Sequence, residues 1–230
     1  MTYVISDIHG HLDLFKRLMA KIALSPNDQL YVCGDIIEKG DDSVKLLRLI
    51  SSMPNVHCIR GNHEEAFLNY YYSQMQESDD CDAVLNRLGR YIQGDGHLLT
   101  WELVDYIEGL PYYIETDDFI CAHAGVPLDN SGEIPPLETV PVQDLLYNRK
   151  FKNPDVLPKN GKCVFFGHTA TSAICGEDKI IAYKKNSNSD SLRSYYKIHL
   201  DTCTFTSGTL GCFCVDSCKA YYVSRATKDN

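Results

Sequence analysis

Basic side chains are scarce in this chain of 230 residues: 22 Lys and Arg stand against 31 Asp and Glu, a net charge of −9. An acidic surface repels polyanions, which excludes broad binding to DNA, RNA or anionic membrane; a local basic pocket for one phosphate group stays open. Long apolar runs are missing too. No stretch approaches the ~18–20 uninterrupted apolar residues of a membrane span. The opening Met1-Thr2-Tyr3-Val4-Ile5-Ser6-Asp7 has neither the basic start nor the long apolar core of a secretory leader. There is no internal repeat and no clear linker, so one domain over residues 1–230 is expected. Charged residues at 23% and aromatics at 10% do not fit disorder.

Cysteine is plentiful, with ten residues. Several sit inside apolar runs: Cys33 in Leu-Tyr-Val-Cys-Gly, Cys58 in Val-His-Cys-Ile-Arg, Cys121 in Phe-Ile-Cys-Ala-His. Free cysteine behaves there as a small core hydrophobe. Without a leader, the set reads as reduced thiols of a cytosolic protein. Cys212-Phe213-Cys214 with Cys218 lacks the paired spacing of a zinc site, and its alternation reads as a strand.

The first part of the chain alternates β-rich and helical patterns. Thr2–Ser6, Gln29–Cys33 and Val56–Ile59 read as strands. Between them, Leu12, Phe15, Leu18, Met19 and Ile22 recur at helical spacing, as do Val44, Leu47 and Ile50 within 43–53. Such β-α-β-α-β alternation predicts a largely parallel sheet with covering helices. Residues 64–110 read as mainly helical, broken at 77–82 and at Gly94-Asp95-Gly96. Strands are expected at Tyr112–Glu115 and Phe119–Ala122, joined as a hairpin at Asp117-Asp118. Gly132–Pro141 reads as a surface loop and 184–194 as a polar connection. Further strands are expected at 164–166, 180–183, 195–200, 211–215 and 220–223, with little helix between them. That change of pattern predicts an α/β fold of two sheets, one fed by each half.

The residues just beyond each strand carry the chemistry. The first three strands run into Asp7-Ile8-His9-Gly10, Gly34-Asp35-Ile36-Ile37-Glu38-Lys39-Gly40 and Arg60-Gly61-Asn62-His63-Glu64. Two later ones run into Ala122-His123-Ala124-Gly125 and Gly167-His168-Thr169. In open α/β sheets, sites form just beyond the carboxyl ends of strands. The gathered Asp, Asn and His side chains, without thiolate, suit Mn²⁺, Fe or Zn²⁺ better than a structural zinc site. Each motif alone is a common cap, turn or core histidine; five in order are not coincidence. Of the remaining histidines, His57 and His199 read as structural, and His11 and His97 lie near the site loops. Tyr70-Tyr71-Tyr72 should split between core and surface.

This ordered series resembles the calcineurin-like metallophosphoesterases. More narrowly it is similar to the phosphoprotein phosphatase group, which includes serine/threonine phosphatases and symmetrical dinucleoside tetraphosphatases. The resemblance runs from residue 2 to about 223 and includes Leu146-Tyr147-Asn148-Arg149 and Leu200-Asp201-Thr202. It implies a four-layer α/β/β/α sandwich with a dimetal site at the strand C-terminal ends. Asp7, His9 and Asp35 would hold one ion. Asp35 would bridge to a second held by Asn62, His123 and His168. His63 would be the general acid, oriented by Glu38; Arg60, Arg149 and Lys39 would bind phosphate.

The implied activity is hydrolysis of phosphoserine and phosphothreonine by direct attack of a metal-bound hydroxide, with two divalent ions, Mn²⁺ first. Its partners would be a phosphorylated protein or a small phosphoester, with no nucleic acid and no membrane; the sequence leaves the oligomeric state open. The alternatives are a symmetrical bis(5'-nucleosyl)-tetraphosphate hydrolase and a phosphate-binding module with weakened catalysis. Two departures bear on this. Glu38-Lys39-Gly40 stands where the family usually has Asp-Arg-Gly, and Asp201-Thr202-Cys203 where it has Asp-Thr-Gly. The first loses a bidentate fork; the second puts local backbone geometry in question.

Overall fold

The computed structural model describes residues 1–78, 80–92, 99–185, 189 and 191–225. The expected loop at Gly94-Asp95-Gly96, His97 and part of the 184–194 connection lie outside them.

The alternating start folds as β1 (Thr2–Ile5), α1 (Leu12–Ile22), β2 (Gln29–Val32), α2 (Ser43–Ser51) and β3 (Val56–Cys58). Three helices come next: α3 (Asn62–Glu77), α4 (Cys81–Tyr91) and α5 (Trp101–Glu108). The hairpin β4 (Tyr113–Glu115) and β5 (Phe119–Ala122) leads to the short α6 (Val142–Tyr147), β6 (Cys163–Phe166) and α7 (Ser172–Cys175). The chain closes with β7 (Ile181–Lys184), β8 (Tyr195–His199), β9 (Thr209–Cys214) and β10 (Lys219–Ser224).

Two five-stranded sheets result, with orders β10-β9-β1-β2-β3 and β4-β5-β6-β8-β7. The period-2 alternation of side chains assembles three apolar layers from them. Tyr3 and Ile5 of β1 face outward, into a core shared with Leu14, Phe15 and Leu18 of α1, Leu46, Leu47 and Ile50 of α2, and Phe67 of α3. Val4, between them, points the other way. It meets Phe119 and Cys121 of β5, Phe165 of β6, Ile198 of β8 and Phe213 of β9 in the layer between the sheets. Ile120, Val164 and Phe166 lie on the far face of the second sheet, under Leu145 of α6 and the side chains of Leu137, Val140 and Phe151. This is the four-layer α/β/β/α sandwich.

The structure departs from two expectations. The sheets are not fed one by each half, because β9 and β10 return to the first sheet. β9 pairs antiparallel with β1, Val4 opposite Phe213, and covers the edge of β1 that β2 leaves open. Residues 132–141 are not wholly a surface loop either. Leu137 and Val140 are buried and help cover the second sheet. The cysteines behave as expected: all ten are free, and Cys33, Cys58, Cys121, Cys163, Cys212 and Cys214 are buried. Among the described residues, no helix is long and apolar enough to cross a membrane.

The topology places the site. β1, β2 and β3 are mutually parallel, and so are β5, β6 and β8. Their carboxyl ends therefore meet at one rim of the sandwich. Pairing continues into the loops beyond: Asp7 N–H donates to Gly34 O (3.1 Å), His9 N–H to Asp35 O (2.9 Å) and Gly167 N–H to His123 O (2.8 Å).

Candidate metal centre

Each strand end delivers its motif to this rim. Asp35 sits at the middle, 2% exposed, with its two oxygens on different neighbours. Oδ1 lies 3.4 Å from His123 Nε2, and Oδ2 lies 3.8 Å from His9 Nε2. Asp7 is 1% exposed, and the backbone N–H of His168 reaches its Oδ2 at 3.1 Å. Two clusters of potential ligand atoms share Asp35: Asp7, Asp35 and His123 in one, and His9, Asp35 and His63 in the other. Asn62 joins the His123 side. Its Oδ1 is 2.9 Å from His123 Nε2 and 2.8 Å from His168 Nδ1. All six expected ligands are thus gathered in one place.

The protonation pattern fits cations. His123 Nδ1 lies 2.8 Å from Cys33 O, an acceptor only, so Nδ1 carries the proton. Its Nε2 then presents a lone pair to the Asn62 amide oxygen, another acceptor. Two lone pairs facing at 2.9 Å are repulsive unless a cation lies between or beside them. His9 repeats the pattern: Nδ1 lies 3.2 Å from Ile37 O, and Nε2 is met by the Lys39 ammonium at 3.0 Å. A lysine cation caps the lone pair that a metal would take.

Electrostatics agree. Burial raises the Asp7 carboxyl to about 7, with the Asp35 charge adding to it, and burial raises Asp35 to about 6. Burial depresses His9 and His123, and it takes His168 to about 3 with the His123 and Arg149 charges adding to it. Crowded buried carboxylates and neutral imidazoles are the donor set that divalent ions stabilise.

Backbone strain concentrates here. Six of the nine described non-glycine residues with positive φ are Asp7, His9, Asp35, Glu38, Lys39 and His168. Each such residue costs about 1–2 kcal/mol, which the surrounding pairing must offset. Glycine is required where the motifs touch. A Cβ on Gly61 would lie 2.2 Å from Asp35 Oδ1, and one on Gly167 would lie 1.9 Å from Asp7 Oδ2.

His63 and Glu38 are in direct contact through Nδ1 and Oε2, so the longer Glu side chain still reaches. His63 Nε2 lies 3.8 Å from Asp35 Oδ2, turned toward the cluster. Burial alone would lower the His63 pKa; the Glu38 hydrogen bond and the Asp35 charge more than reverse that, and the net shift is upward.

The three expected phosphate-binding cations part company. Arg149 is exposed beside His168. Lys39 is turned onto His9, with its Nζ 6.0 Å from the Phe205 ring centroid. Arg60 is spent elsewhere. Its guanidinium donates to Glu65 (2.9 Å), the Tyr112 hydroxyl (2.9 Å) and Glu108 O (2.5 Å), and it stacks on the Tyr112 ring. Through these contacts Arg60 braces the start of α3 against the end of α5.

Two residues carry more than their motifs suggested. Glu64 is fully buried and accepts four backbone N–H groups, from Gly61 (2.8 Å), Asp35 (2.9 Å), Ile36 (2.8 Å) and Ile37 (3.1 Å). It is the pin that holds the Asp35 loop against the start of α3. The signal was a Glu three residues after a helix-starting Gly, the reach of a capping box. Asp201 is a further buried carboxylate. Its pKa is raised by burial and then by the Asp7 charge, which places it near the cluster. Cys203, two residues on, holds φ +64°, so the backbone keeps the left-handed turn that glycine would favour.

The other three described histidines are structural. His57 pairs with Gln29 (2.7 Å), His199 with Thr169 O (2.6 Å) and His11 with Arg225 (2.9 Å). Tyr71 packs near Trp101, whereas Tyr72 is exposed.

The calcineurin-like phosphoesterase family model matches residues 2–196, which include all six gathered ligands, His63 and Arg149. A symmetrical bis(5'-nucleosyl)-tetraphosphatase from Serratia proteamaculans is 34% identical over 102 residues, spanning 39% of this chain and 36% of that protein. One from Aggregatibacter actinomycetemcomitans is 29% identical over 134 residues, 56% of this chain and 45% of that protein. These matches cover less than half the length of either relative. A crystal structure described as a candidate diadenosine tetraphosphatase superposes with a TM-score of 0.66 at 18% identity, covering 97% of this chain and 92% of that one. With the family model matching most of its length and the ligands converging as the motifs require, the chain belongs to the calcineurin-like phosphoesterase family.

Proposed function

We propose that this chain hydrolyses symmetrical dinucleoside tetraphosphates, adding water across the central P–O bond to release two nucleoside diphosphates. The observation that carries this is that the Serratia and Aggregatibacter relatives both bear that activity in their names. It reverses the order expected from the motifs, which put phosphoserine and phosphothreonine first. Neither of those two relatives is named a protein phosphatase, and the motifs are common to both activities.

Asp7, His9 and Asp35 would hold one divalent ion, and Asp35, Asn62, His123 and His168 the other. When bound, such a pair supplies positive charge to phosphoryl oxygens and lowers the pKa of water. The chain's own residues do the rest. Glu38 holds the His63 imidazole by Nδ1 and raises its pKa, which favours the protonated form with a proton on Nε2. That proton goes to the departing phosphate oxygen. Arg149, on the His168 side, offers a guanidinium fork to the non-bridging oxygens. Neutral His123 and His168 and the amide of Asn62 add no negative charge that would repel the substrate.

The test is metal-dependent turnover on a panel of diadenosine tetraphosphate, phosphopeptides and a phosphodiester. Diadenosine tetraphosphate should have the highest kcat/KM and give only the diphosphate. Asp35→Asn should abolish turnover, and His63→Asn should lower kcat by about a hundredfold or more. A higher kcat/KM on phosphopeptides would overturn the reading.

A further inference from the structure

Beside the candidate metal centre, residues 149–156 form a ridge of which the catalytic reading uses only Arg149. Phe151 is its root. It is fully buried on the outer face of the second sheet, and its ring presses against Gly125, where a Cβ would lie 2.0 Å from the ring. Gly125 belongs to the loop of the metal ligand His123, so ridge and cluster are packed together. Lys197 of β8 ties the ridge down from below. Its buried ammonium donates to Phe151 O (2.5 Å), Asn153 O (2.8 Å) and Val156 O (2.7 Å). Asn148 shapes the start of the ridge by accepting from Lys150 N–H (2.9 Å).

With Phe151 rooted inward, Arg149, Lys150 and Lys152 are left on the other side. All three line one open cavity of about 670 Å³, bounded also by Asn153 and by Ala173 and Ile174 of α7. α7 begins four residues after His168, so one short turn joins this wall of the cavity to that histidine. Three cations and no carboxylate line it, in a chain whose net charge is −9. None of the three forms an ion pair among the described residues. Ion-paired cations are tied up by their partners; these remain available to an anion. A neighbouring cavity of about 610 Å³ shares Arg149 and Lys150 but also contains Asp144, and so fits an anion less well.

We infer that the cavity between the 149–156 ridge and α7 is the subsite for the nucleoside diphosphate arm that is not being attacked. Lys150 and Lys152 hold its phosphates, and the apolar wall of Ala173 and Ile174 takes the nucleoside. The inference rests on the tetraphosphatase reading and adds to it a place for half the substrate. A phosphate monoester on a peptide has no second anionic arm to fill this cavity. Arg149, which lines this cavity and whose charge acts on His168, would span both halves, gripping the attacked phosphate and its neighbour.

The experiment compares wild type with Lys150→Ala/Lys152→Ala, leaving Arg149 and the metal ligands untouched. Three quantities are measured with free metal held constant: KM for diadenosine tetraphosphate, kcat/KM for an aryl phosphate, and the inhibition constant of ADP against aryl phosphate turnover. Loss of two cation–phosphate contacts predicts about a tenfold rise in the KM and in the ADP inhibition constant. Aryl phosphate turnover should not change, since that substrate has no second arm. Lys150→Arg/Lys152→Arg should restore both values.

If wild type hydrolyses diadenosine tetraphosphate and the alanine variant keeps its KM, the subsite is wrong and the tetraphosphatase reading stands. If wild type does not hydrolyse it, that reading falls, and ADP inhibition decides the subsite separately. A roughly tenfold weaker inhibition upholds it as a nucleotide site; an unchanged constant removes it. A loss of aryl phosphate turnover matching the loss on the dinucleotide would also overturn it, because the lysines would then serve the attacked phosphate.

Discussion

Replacing Glu64 by Gln tests how the Asp35 loop is held. The carboxylate accepts from Ile36 and Ile37 at Oε1 and from Asp35 and Gly61 at Oε2. Gln is nearly isosteric but has one acceptor oxygen. Whichever way the amide turns, its NH₂ faces two buried backbone N–H groups. Each unsatisfied donor costs about 1–3 kcal/mol, so the substitution should destabilise by at least about 2 kcal/mol. For a chain of this length that is a fall of roughly 4–8 °C in melting temperature. The damage falls on the backbone of Asp35, the carboxylate common to both clusters. Metal affinity, measured by titration of the folded variant well below its melting point, should therefore weaken as well. Glu64→Asp keeps the charge but is one methylene short, and should resemble Gln rather than wild type. A Gln variant that melts with the wild type would refute the reasoning. One that melts lower but binds metal unchanged would make Glu64 a stability residue only.

Three further outcomes are expected from the geometry. Cys203 holds φ +64°, so Cys203→Gly should relieve about 1–2 kcal/mol of strain, less ~0.4–1 kcal/mol for the freer unfolded chain; a slightly higher melting temperature checks this, and a lower one refutes it. Glu38→Gln removes the carboxylate that helps hold the His63 pKa up, so the general acid loses its proton sooner as pH rises, and the alkaline limb of the kcat–pH profile should move to lower pH; no shift, or the opposite one, would remove Glu38 from that role. Lys197→Met leaves three carbonyls of the ridge without their donor, at about 1 kcal/mol or more each; limited proteolysis should then cut between residues 150 and 156, where the wild type resists.

Much of the site was legible in the sequence because it is built at strand ends. A strand that stops at a Gly-flanked Asp, Asn or His announces both the turn and the ligand. Asp7, His9, Asp35, Asn62, His123 and His168 could each be read this way, and the structure brings them together. The strands themselves were legible to within a residue or two, since their apolar alternation is local. Arg60 shows the limit. It precedes Gly-Asn-His-Glu and looked like a phosphate ligand, but the direction of its side chain depends on Tyr112 and Glu108, some fifty residues away. Lys39 likewise could be read as a cation near phosphate, not as one laid against His9. Glu64 was visible as part of a motif, yet its four backbone partners come from two loops that only the folded chain brings together.

The family, the alternating elements and the candidate ligands are written in short-range pattern and can be read from the sequence. The tertiary structure alone decided where the last hairpin goes. β9 returned to the first sheet since an open edge beside β1 remained to be paired, a long-range demand with no local signature. The structure also decided which cations stay free: Arg60 is consumed as a brace, whereas Arg149, Lys150 and Lys152 are set around one cavity by a buried phenylalanine and a buried lysine. Composition counts charges, but only packing determines which of them a phosphate can meet.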